Sequence, residues 1–299
     1  ILMFDYLTFG LLAQLFINGI LFGTMYGLAA IGLSLIFGTM RIIFLSQGAV
    51  IILMAYCCYW LFTLFKIDPY LSIPIIGLAA MVLGAGIYQG LFRRAVKMED
   101  KNITLLIAVG LMFLIENLMA VMWTPNPRSI STGYTSSSIP VGGLAISFTR
   151  LMGFVMAMLS TAGVTLFLKR TLVGKAVRAA SEDIEAARLV GISPHWVNTI
   201  AFAIGIGLCG IAGIALSTTY PFDPYFGFIF SLKAMIALAL GGLGSVFGAL
   251  LGGIILGTLE SWSSFFISGG WADAVSYGVF LLVLLFKPEG LLVRSVKKV

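Results

Sequence analysis

Apolar runs long enough to cross a lipid bilayer recur along this sequence from one end to the other. A transmembrane helix needs about 20 consecutive, predominantly apolar residues. Eight runs meet or approach this length, at residues 11–37, 42–65, 70–92, 103–123, 145–168, 196–217, 232–259 and 272–286. The mean hydropathy of +1.07 agrees with this pattern. We therefore predict an all-α fold, a polytopic integral membrane helical bundle that forms one transmembrane domain over residues 1–299. The first run lacks the basic flank and cleavage site of a signal peptide, so we treat it as a mature membrane helix.

Positive charge predicts which loops face the cytoplasm, where Lys and Arg accumulate in membrane proteins. The basic positions are Arg41, then Arg93, Arg94, Lys97 and Lys101, then residues 169–188, and finally Lys287, Arg294, Lys297 and Lys298. The charge-poor segments 66–69, 124–143 and 217–226 are predicted to lie outside. This alternation places the basic tail outside if residues 232–259 cross the membrane only once.

A break in the seventh run restores the alternation. The sequence GGLGS at residues 241–245 is rich in glycine, and two shorter crossings in place of one would give about eight or nine spans. Irregular backbone at membrane depth is tolerated where it is buried or lines a watery cavity, and interrupted helices often line translocation pathways. The alternative is that these glycines only allow helices to pack closely.

A short charged segment at residues 174–194, GKAVRAASEDIEAARLVGISP, separates the fifth and sixth runs. Ser181 can cap a helix whose first turn carries Glu182 and Asp183, and Gly191 supplies a stop signal. This pattern predicts a short cytoplasmic helix over residues 182–190.

The predicted helix has a small apolar face, formed by Ile184, Ala187 and Gly191, opposite a side of mixed charge. A helix that lies on a membrane surface would carry large apolar residues opposite an excess of Lys and Arg. The pattern therefore favours docking into a groove on another protein, with a solvated loop helix as the alternative.

The sequence lacks the residues that a catalytic or energy-coupling centre needs. It contains no GxxxxGK[ST] phosphate loop, and a proton relay would need several acidic or His side chains within the bilayer. The three cysteines form no CxxC pair, and the single His195 cannot build a usual metal site. We expect no catalytic residue, metal or cofactor on this chain and no nucleic-acid partner, so a separate ATPase would have to power transport.

Several motifs occur in an order that resembles a known transporter family. Glu185, Ala186, Ala187 and, after three residues, Gly191 resemble the EAA-type loop of bacterial ABC importer permeases. The remaining motifs are DPYFG at 223–227, Lys233, GGLGSVFGALLGG at 241–253 and KPEGLL at 287–292. Over nearly its whole length the chain is similar to the permeases of the branched-chain (hydrophobic) amino acid ABC importers, the Liv type.

The resemblance implies a multi-pass subunit of the bacterial inner membrane. Its partners would be a second homologous permease, two cytoplasmic ATPases that bind ATP and Mg, and a periplasmic substrate-binding protein. Residues 169–195 would form the cytoplasmic coupling loop, and closure of the ATPases would rock the permease pair between outward and inward states. The implied ATPase-coupling residues are Arg178, Glu182, Asp183, Glu185, Ala187 and Gly191.

The candidate substrate-pathway residues are polar or glycine positions within or beside the apolar runs: Ser46, Gln47, Glu116, Asn117, Lys233, Gly241, Gly242, Gly244 and Ser245. Burial of an ionisable group at bilayer depth costs about 2.5–3.5 kcal/mol, so Glu116 is expected to face the bundle or a cavity, in a structural or a pathway role. Lys233 is expected to extend its ammonium group toward the membrane interface.

Two departures from the family pattern bear on the substrate. Ser46 and Gln47 stand where relatives commonly have Ala-His, and Glu116-Asn117 replaces a common Gln-Asn pair. Urea, short amides and small aromatic acids therefore remain alternative cargoes. From another class, an ATP-independent channel or an ion-coupled carrier is the alternative function.

Overall fold

The computed structural model describes residues 9–96, 98, 102–141, 144–267, 269–287 and 290–291. Its helices are α1 Phe9–Met40, α2 Gln47–Phe65, α3 Ile73–Ile87, α4 Arg93–Ala95, α5 Asn102–Trp123, α6 Phe148–Arg170, α7 Leu172–Glu182, α8 Ile184–Leu189, α9 Pro194–Thr219, α10 Gly227–Gly241, α11 Val246–Phe266 and α12 Ala272–Phe286. A π-helical turn, Tyr88–Phe92, joins α3 to α4. Of the predicted features, Lys97, Lys101, Gly143, Arg294, Lys297, Lys298 and part of the KPEGLL motif lie outside the described residues.

The predicted all-α membrane bundle is confirmed. Within the described ranges, seven helical segments are long and apolar enough to cross a membrane, and α10 and α12 are shorter apolar helices. The predicted break in the seventh run is also confirmed, because α10 ends at Gly241 and α11 begins at Val246. At 1.5 Å per residue, the 15 residues of α10 extend only about 22 Å.

The fifth run begins differently from its prediction. Residues 145–147 belong to the strand β2, Leu144–Ser147, which pairs antiparallel with β1, Ser138–Val141. Helix α6 consequently starts only at Phe148. A hydropathy window does not separate a short apolar strand from the helix that follows it.

The three charge-poor loops meet at one end of the bundle, which we call the outer end. Tyr134 donates a hydrogen bond to Asp68 Oδ2 at 2.8 Å, and Arg128 and Phe222 exchange two backbone hydrogen bonds. Burial, together with the hydrogen bond to Asp68, raises the pKa of the Tyr134 hydroxyl. These contacts join loops that are far apart in sequence, as the charge pattern predicted.

Helix α1 lies at the centre of the bundle and packs most extensively on α11. The two helices approach through glycines, because a Cβ at Gly253 would contact the backbone of Gly23 and Gly27. Small residues at such crossings allow backbones to approach closely in membranes, where packing rather than hydrophobic burial drives association. This contact fixes α11 against the centre of the fold.

Replacement of Gly253 by Ala tests the close approach of α1 and α11. The added methyl overlaps the backbone of Gly27, and overpacking of this kind costs about 1–3 kcal/mol. We expect a lower thermal unfolding midpoint for the purified chain in detergent. Gly110→Ala in α5 is the matched control, since its Cβ would meet open space. Equal midpoints for the two variants would contradict this packing.

Candidate functional site

Four side chains from four helices form a polar cluster in the outer half of the bundle. The Nζ atom of Lys233 on α10 lies 2.9 Å from Glu260 Oε1 on α11 and 2.9 Å from Asp273 Oδ1 on α12. Tyr26 of α1 donates a hydrogen bond to Glu260 Oε2 at 2.9 Å and accepts one from Lys233 Nζ at 3.3 Å. We call these four residues the outer cluster.

Lys233 does not extend its ammonium group to solvent. Its side chain is only 12% exposed and that of Glu260 only 13%, whereas Asp273 is 51% exposed. Lys233 turns into the bundle because two carboxylates there form ion pairs with its ammonium group. Water at the interface would only solvate it. One ammonium group between two carboxylates leaves the outer cluster with a formal charge of −1.

The outer cluster lies in the wall of a cavity of about 570 Å³, the outer cavity. Its other walls are mainly apolar and aromatic, and include Leu15, Phe22, Phe226, Ile229, Phe230 and Phe265. Additional polar groups come from Asn18, Tyr220, Ser261 and Ser264. Small-molecule sites combine mostly apolar walls with a few convergent polar groups in this way. The cavity can therefore receive a small molecule with a charged head and an apolar side chain.

The loop between α6 and α9 contains two helices where one, over residues 182–190, was predicted. Helix α7 continues to Glu182, and α8 begins only at Ile184. Asp183 separates them and caps α8, since its Oδ1 accepts from the backbone N–H groups of Glu185 at 2.9 Å and Ala186 at 3.0 Å. Ser181 is not the cap, because its hydroxyl donates to the Arg178 carbonyl at 2.7 Å.

Removal of the Asp183 cap tests this assignment. An N-cap carboxylate is worth about 1 kcal/mol to its helix, which corresponds to about a fivefold change in local opening. We expect Asp183→Ala to accelerate amide hydrogen exchange about fivefold in a peptide that covers α8. Ser181→Ala is the matched control and should leave α8 unchanged, whereas the reverse order of effects would restore Ser181 as the cap.

One residue of the face predicted to dock on another protein, Ala187, packs on this chain itself. Ala187 is 3% exposed and belongs to a small apolar cluster with Val177, Ala180, Val197 and Ala201. Large apolar side chains of the loop are instead exposed at Leu172, at 85%, and at the loop tip at Leu189, at 90%, and Val190, at 76%. Gly191 follows them with a φ of +85°, which ends the helix as predicted. Small alanine side chains allow α8 to pack closely on α7 and α9. The larger side chains of Leu189 and Val190 stay exposed.

The break between α10 and α11 lies near the inner end of α1. Gly242 and Gly244 adopt positive φ angles of 102° and 85°, and Ser245 Oγ caps α11 by accepting from Gly248 N at 3.0 Å. A Cβ on Gly38, in the last turns of α1, would lie 3.7 Å from Gly244 Cα. The packing alternative also holds, because a Cβ at Gly241 would overlap the Gly248 backbone.

A second cavity, of about 830 Å³, lies at this end, and we call it the inner cavity. The ends of α1 and α6, one side of α7 and the α10–α11 break enclose it. Its charged lining residues are Arg41, Lys169, Arg178 and Glu182. Basic residues from separate loops thus gather at one end of the bundle, opposite the charge-poor loops, as the positive-inside rule requires.

Residues 15–284 match the family described as "Branched-chain amino acid transport system / permease component". The chain belongs to this family. It is therefore a permease component and a multi-pass inner membrane protein, and the resemblance noted in its motifs is confirmed.

Two curated relatives of the permease align over nearly their full length. It is 31% identical to the high-affinity branched-chain amino acid transport system permease protein BraD of Pseudomonas aeruginosa, over 96% of this chain and 97% of BraD. It is 30% identical to LivH of Escherichia coli K12, over 96% of this chain and 97% of LivH. A chain of PsaBC from Streptococcus pneumoniae in complex with Fab shares the fold, with a TM-score of 0.52, 9% identity and 91% coverage of each chain.

Ser46 and Gln47 of the permease are buried at the start of α2 and hold helices together. The Ser46 hydroxyl donates to the Ala108 carbonyl of α5, and Gln47 Nε2 donates to the Ala29 carbonyl of α1. Neither residue lines the outer or the inner cavity. Their contacts place them in the packing of three helices.

Glu116 and Asn117 point to different sides of α5. Glu116 is 4% exposed, and its Oε1 has no hydrogen-bond partner among the described residues. Asn117 is exposed and donates to the Phe113 carbonyl of its own helix at 2.7 Å. Neither lines the two cavities. Of the candidate pathway residues, only Lys233 lies in the outer cavity, whereas Gly244 and Ser245 line the inner one.

The sequence interpretation did not include Tyr26, Glu260 and Asp273 among the site residues of the permease. A lysine within an apolar run requires a countercharge, and two carboxylates were available to supply it, one just after the same run and one at the start of the next. This need for a countercharge was the sequence signal that pointed to Glu260 and Asp273. Among the described residues, no three His, Cys, Asp or Glu side chains come together as a metal site.

Proposed function

We propose that this permease is the membrane-spanning subunit of an ATP-driven, binding-protein-dependent importer for branched-chain or other hydrophobic amino acids. The observation that carries the proposal is the outer cavity, in which Lys233, Glu260 and Asp273 lie beside aromatic and aliphatic walls. An α-amino acid with an apolar side chain has the complementary chemistry. BraD and LivH are named as permeases for branched-chain amino acids, which belong to the same class of substrate.

Exchange of one ion pair explains how such a substrate could bind. Asp273 is half exposed at the rim, so its bond to Lys233 is the weaker of the two in the cluster. The carboxylate of an amino acid would take the place of Asp273 on Lys233, and its ammonium group would then pair with Asp273. Each carboxylate still faces an ammonium group after this exchange, which limits the cost of desolvation.

The alternative cargoes fit the outer cluster less well. Urea and short amides are uncharged, so they would bring no opposite charge to Lys233 or to the carboxylates of the cluster. A small aromatic acid brings a second negative charge to a cluster whose formal charge is already −1, and like charges at close range repel strongly when they are partly buried. The charge of the outer cluster thus supports a substrate with an ammonium group.

The proposed partners are a second homologous permease, two cytoplasmic ATPases with ATP and Mg, and a periplasmic binding protein. The tip of the loop between α6 and α9, which we call the inner loop, supports an ATPase contact, because Leu189 and Val190 are exposed there beside charged residues. Large apolar side chains inside a polar rim are typical of interaction sites. The rim would consist of the proposed coupling residues Arg178, Glu182, Asp183 and Glu185.

Co-purification tests the proposed assembly. The tagged permease is purified from its native membrane, bound proteins are identified, and ATP hydrolysis is measured with leucine, urea and benzoate. We expect two ATPase subunits, a second permease, and hydrolysis stimulated by leucine with its binding protein. A chain that purifies alone and transports unaided would contradict the proposal and favour a channel or carrier.

A further inference from the structure

The inner cavity has an excess of positive charge. Arg41, Lys169 and Arg178 line it together with one carboxylate, Glu182, so its formal charge is +2. Glu182 lies 3.9 Å from Arg178 and both side chains are exposed, which makes that pair weak. Among the described residues, Arg41 and Lys169 have no carboxylate within 4.0 Å.

The wall of the inner cavity also contains a buried hydroxyl without a partner. Ser34 of α1 is 1% exposed, lines the cavity, and its Oγ has no hydrogen bond among the described residues. A buried polar group without a partner is unfavourable, whereas a ligand oxygen in the cavity would accept a hydrogen bond from it. This hydroxyl therefore indicates a ligand rather than a merely solvated surface.

Helix ends contribute opposite fields at this cavity. Helix α11 begins here, and its N-terminal end carries a partial positive charge, while α1, α6 and α10 end here with partial negative charges. Arg41 and Lys169 lie at the C-terminal ends of α1 and α6 and offset their partial charges. The N terminus of α11 and the remaining charge of the basic side chains leave the cavity suited to an anion.

The rest of the inner cavity is apolar. Its lining includes Leu35, Phe37, Leu168, Val246 and Phe247. An inorganic anion would leave these walls without a contact, whereas an anion attached to an apolar group would cover them. The volume of about 830 Å³ accommodates such a molecule.

We propose that the inner cavity is a binding site for an organic anion, a carboxylate or phosphate joined to an apolar group. Lys169 and Arg41 pair with the anion, and Ser34 donates a hydrogen bond to it. The ligand comes either from the inner leaflet, as an anionic phospholipid, or from the cytoplasm, as a soluble carboxylate. In both cases it lies between α7 of the inner loop and the α10–α11 break, so it links the two. The site does not depend on the proposed cargo.

Binding to the purified full-length permease tests this site. The chain is placed in nanodiscs of phosphatidylcholine, with a first arm that adds phosphatidylglycerol and a second that adds 4-methylpentanoate. Native mass spectrometry counts bound lipid, and the unfolding midpoint reports the soluble anion. We expect one arm to show binding. A response to phosphatidylglycerol alone identifies a lipid, and a response to 4-methylpentanoate identifies a soluble anion.

The variants place the binding at the inner cavity. Arg41→Gln with Lys169→Gln should weaken binding about tenfold or more, and Ser34→Ala about three- to tenfold. Lys66→Gln, an exposed lysine near the outer end, is the control and should bind as the parent does. Absence of binding in both arms, or equal binding by all variants, would overturn the proposal. A lower midpoint with unchanged anion response would show that Arg41 and Lys169 only offset the helix ends.

Discussion

Replacement of Lys233 by Met should abolish uptake in the assembled importer and destabilise the permease. Lys233 is the only cation of the outer cluster, and its removal leaves Glu260 buried without its countercharge. Loss of one partner from a buried ion pair costs about 3–5 kcal/mol. We expect a lower unfolding midpoint and a fall in leucine uptake of more than about tenfold, both measured on reconstituted protein.

A double variant separates stability from substrate handling. Lys233→Met with Glu260→Met removes both buried charges, and apolar replacement of a whole buried pair is often nearly neutral for folding. We expect the double variant to recover its unfolding midpoint without recovering uptake. Lys66→Met, which removes an exposed lysine, is the control for loss of charge alone. Uptake by Lys233→Met within twofold of the parent would exclude the outer cluster from the pathway.

Placing carboxylates at the tip of the inner loop should separate ATP hydrolysis from transport. Leu189 and Val190 are almost fully exposed in the isolated chain, so Leu189→Asp with Val190→Asp should leave its folding unchanged. Each apolar side chain contributes about 1.5–3 kcal/mol when it is buried at a contact. The double change should weaken docking of the ATPase about a hundredfold or more.

Pull-down of the ATPase and leucine-stimulated hydrolysis measure this effect. Leu189→Met with Val190→Ile is the matched control, because it keeps both side chains apolar and should retain both activities. Ala187 is unsuitable for the same test, since it is buried against α7 and α9 and a larger residue would disturb the loop itself. Full docking and coupling in the Asp variant would show that another surface binds the ATPase.

The membrane architecture could be predicted from the sequence because its signals are local. Each apolar run, each basic loop and the glycines at 241–245 can be recognised within a single segment of the sequence, and the apolar helices of the bundle follow these signals. The family resemblance also rests on contiguous motifs. The strand at 144–147 was missed because its partner strand, and not its own hydropathy, decides its structure.

The site could be predicted only in part because it depends on contacts across the sequence. Lys233 was identified, but Tyr26 lies 207 residues from it, and only the packing of α1 on α11 brings Tyr26, Glu260 and Lys233 together. The apolar face of α8 was assigned from helical spacing alone. Spacing places Ala187 on a face but does not say that α7 and α9 cover that face.

ATP-dependent uptake in proteoliposomes tests the central claim most directly. The assembled importer, with its binding protein outside and ATP inside, is given labelled leucine in competition with isoleucine, urea, benzoate and 4-methylpentanoate. We predict uptake that requires ATP, that isoleucine competes, and that urea and both acids without an ammonium group leave unchanged. Uptake without ATP, or stronger competition by urea or benzoate than by isoleucine, would contradict the account.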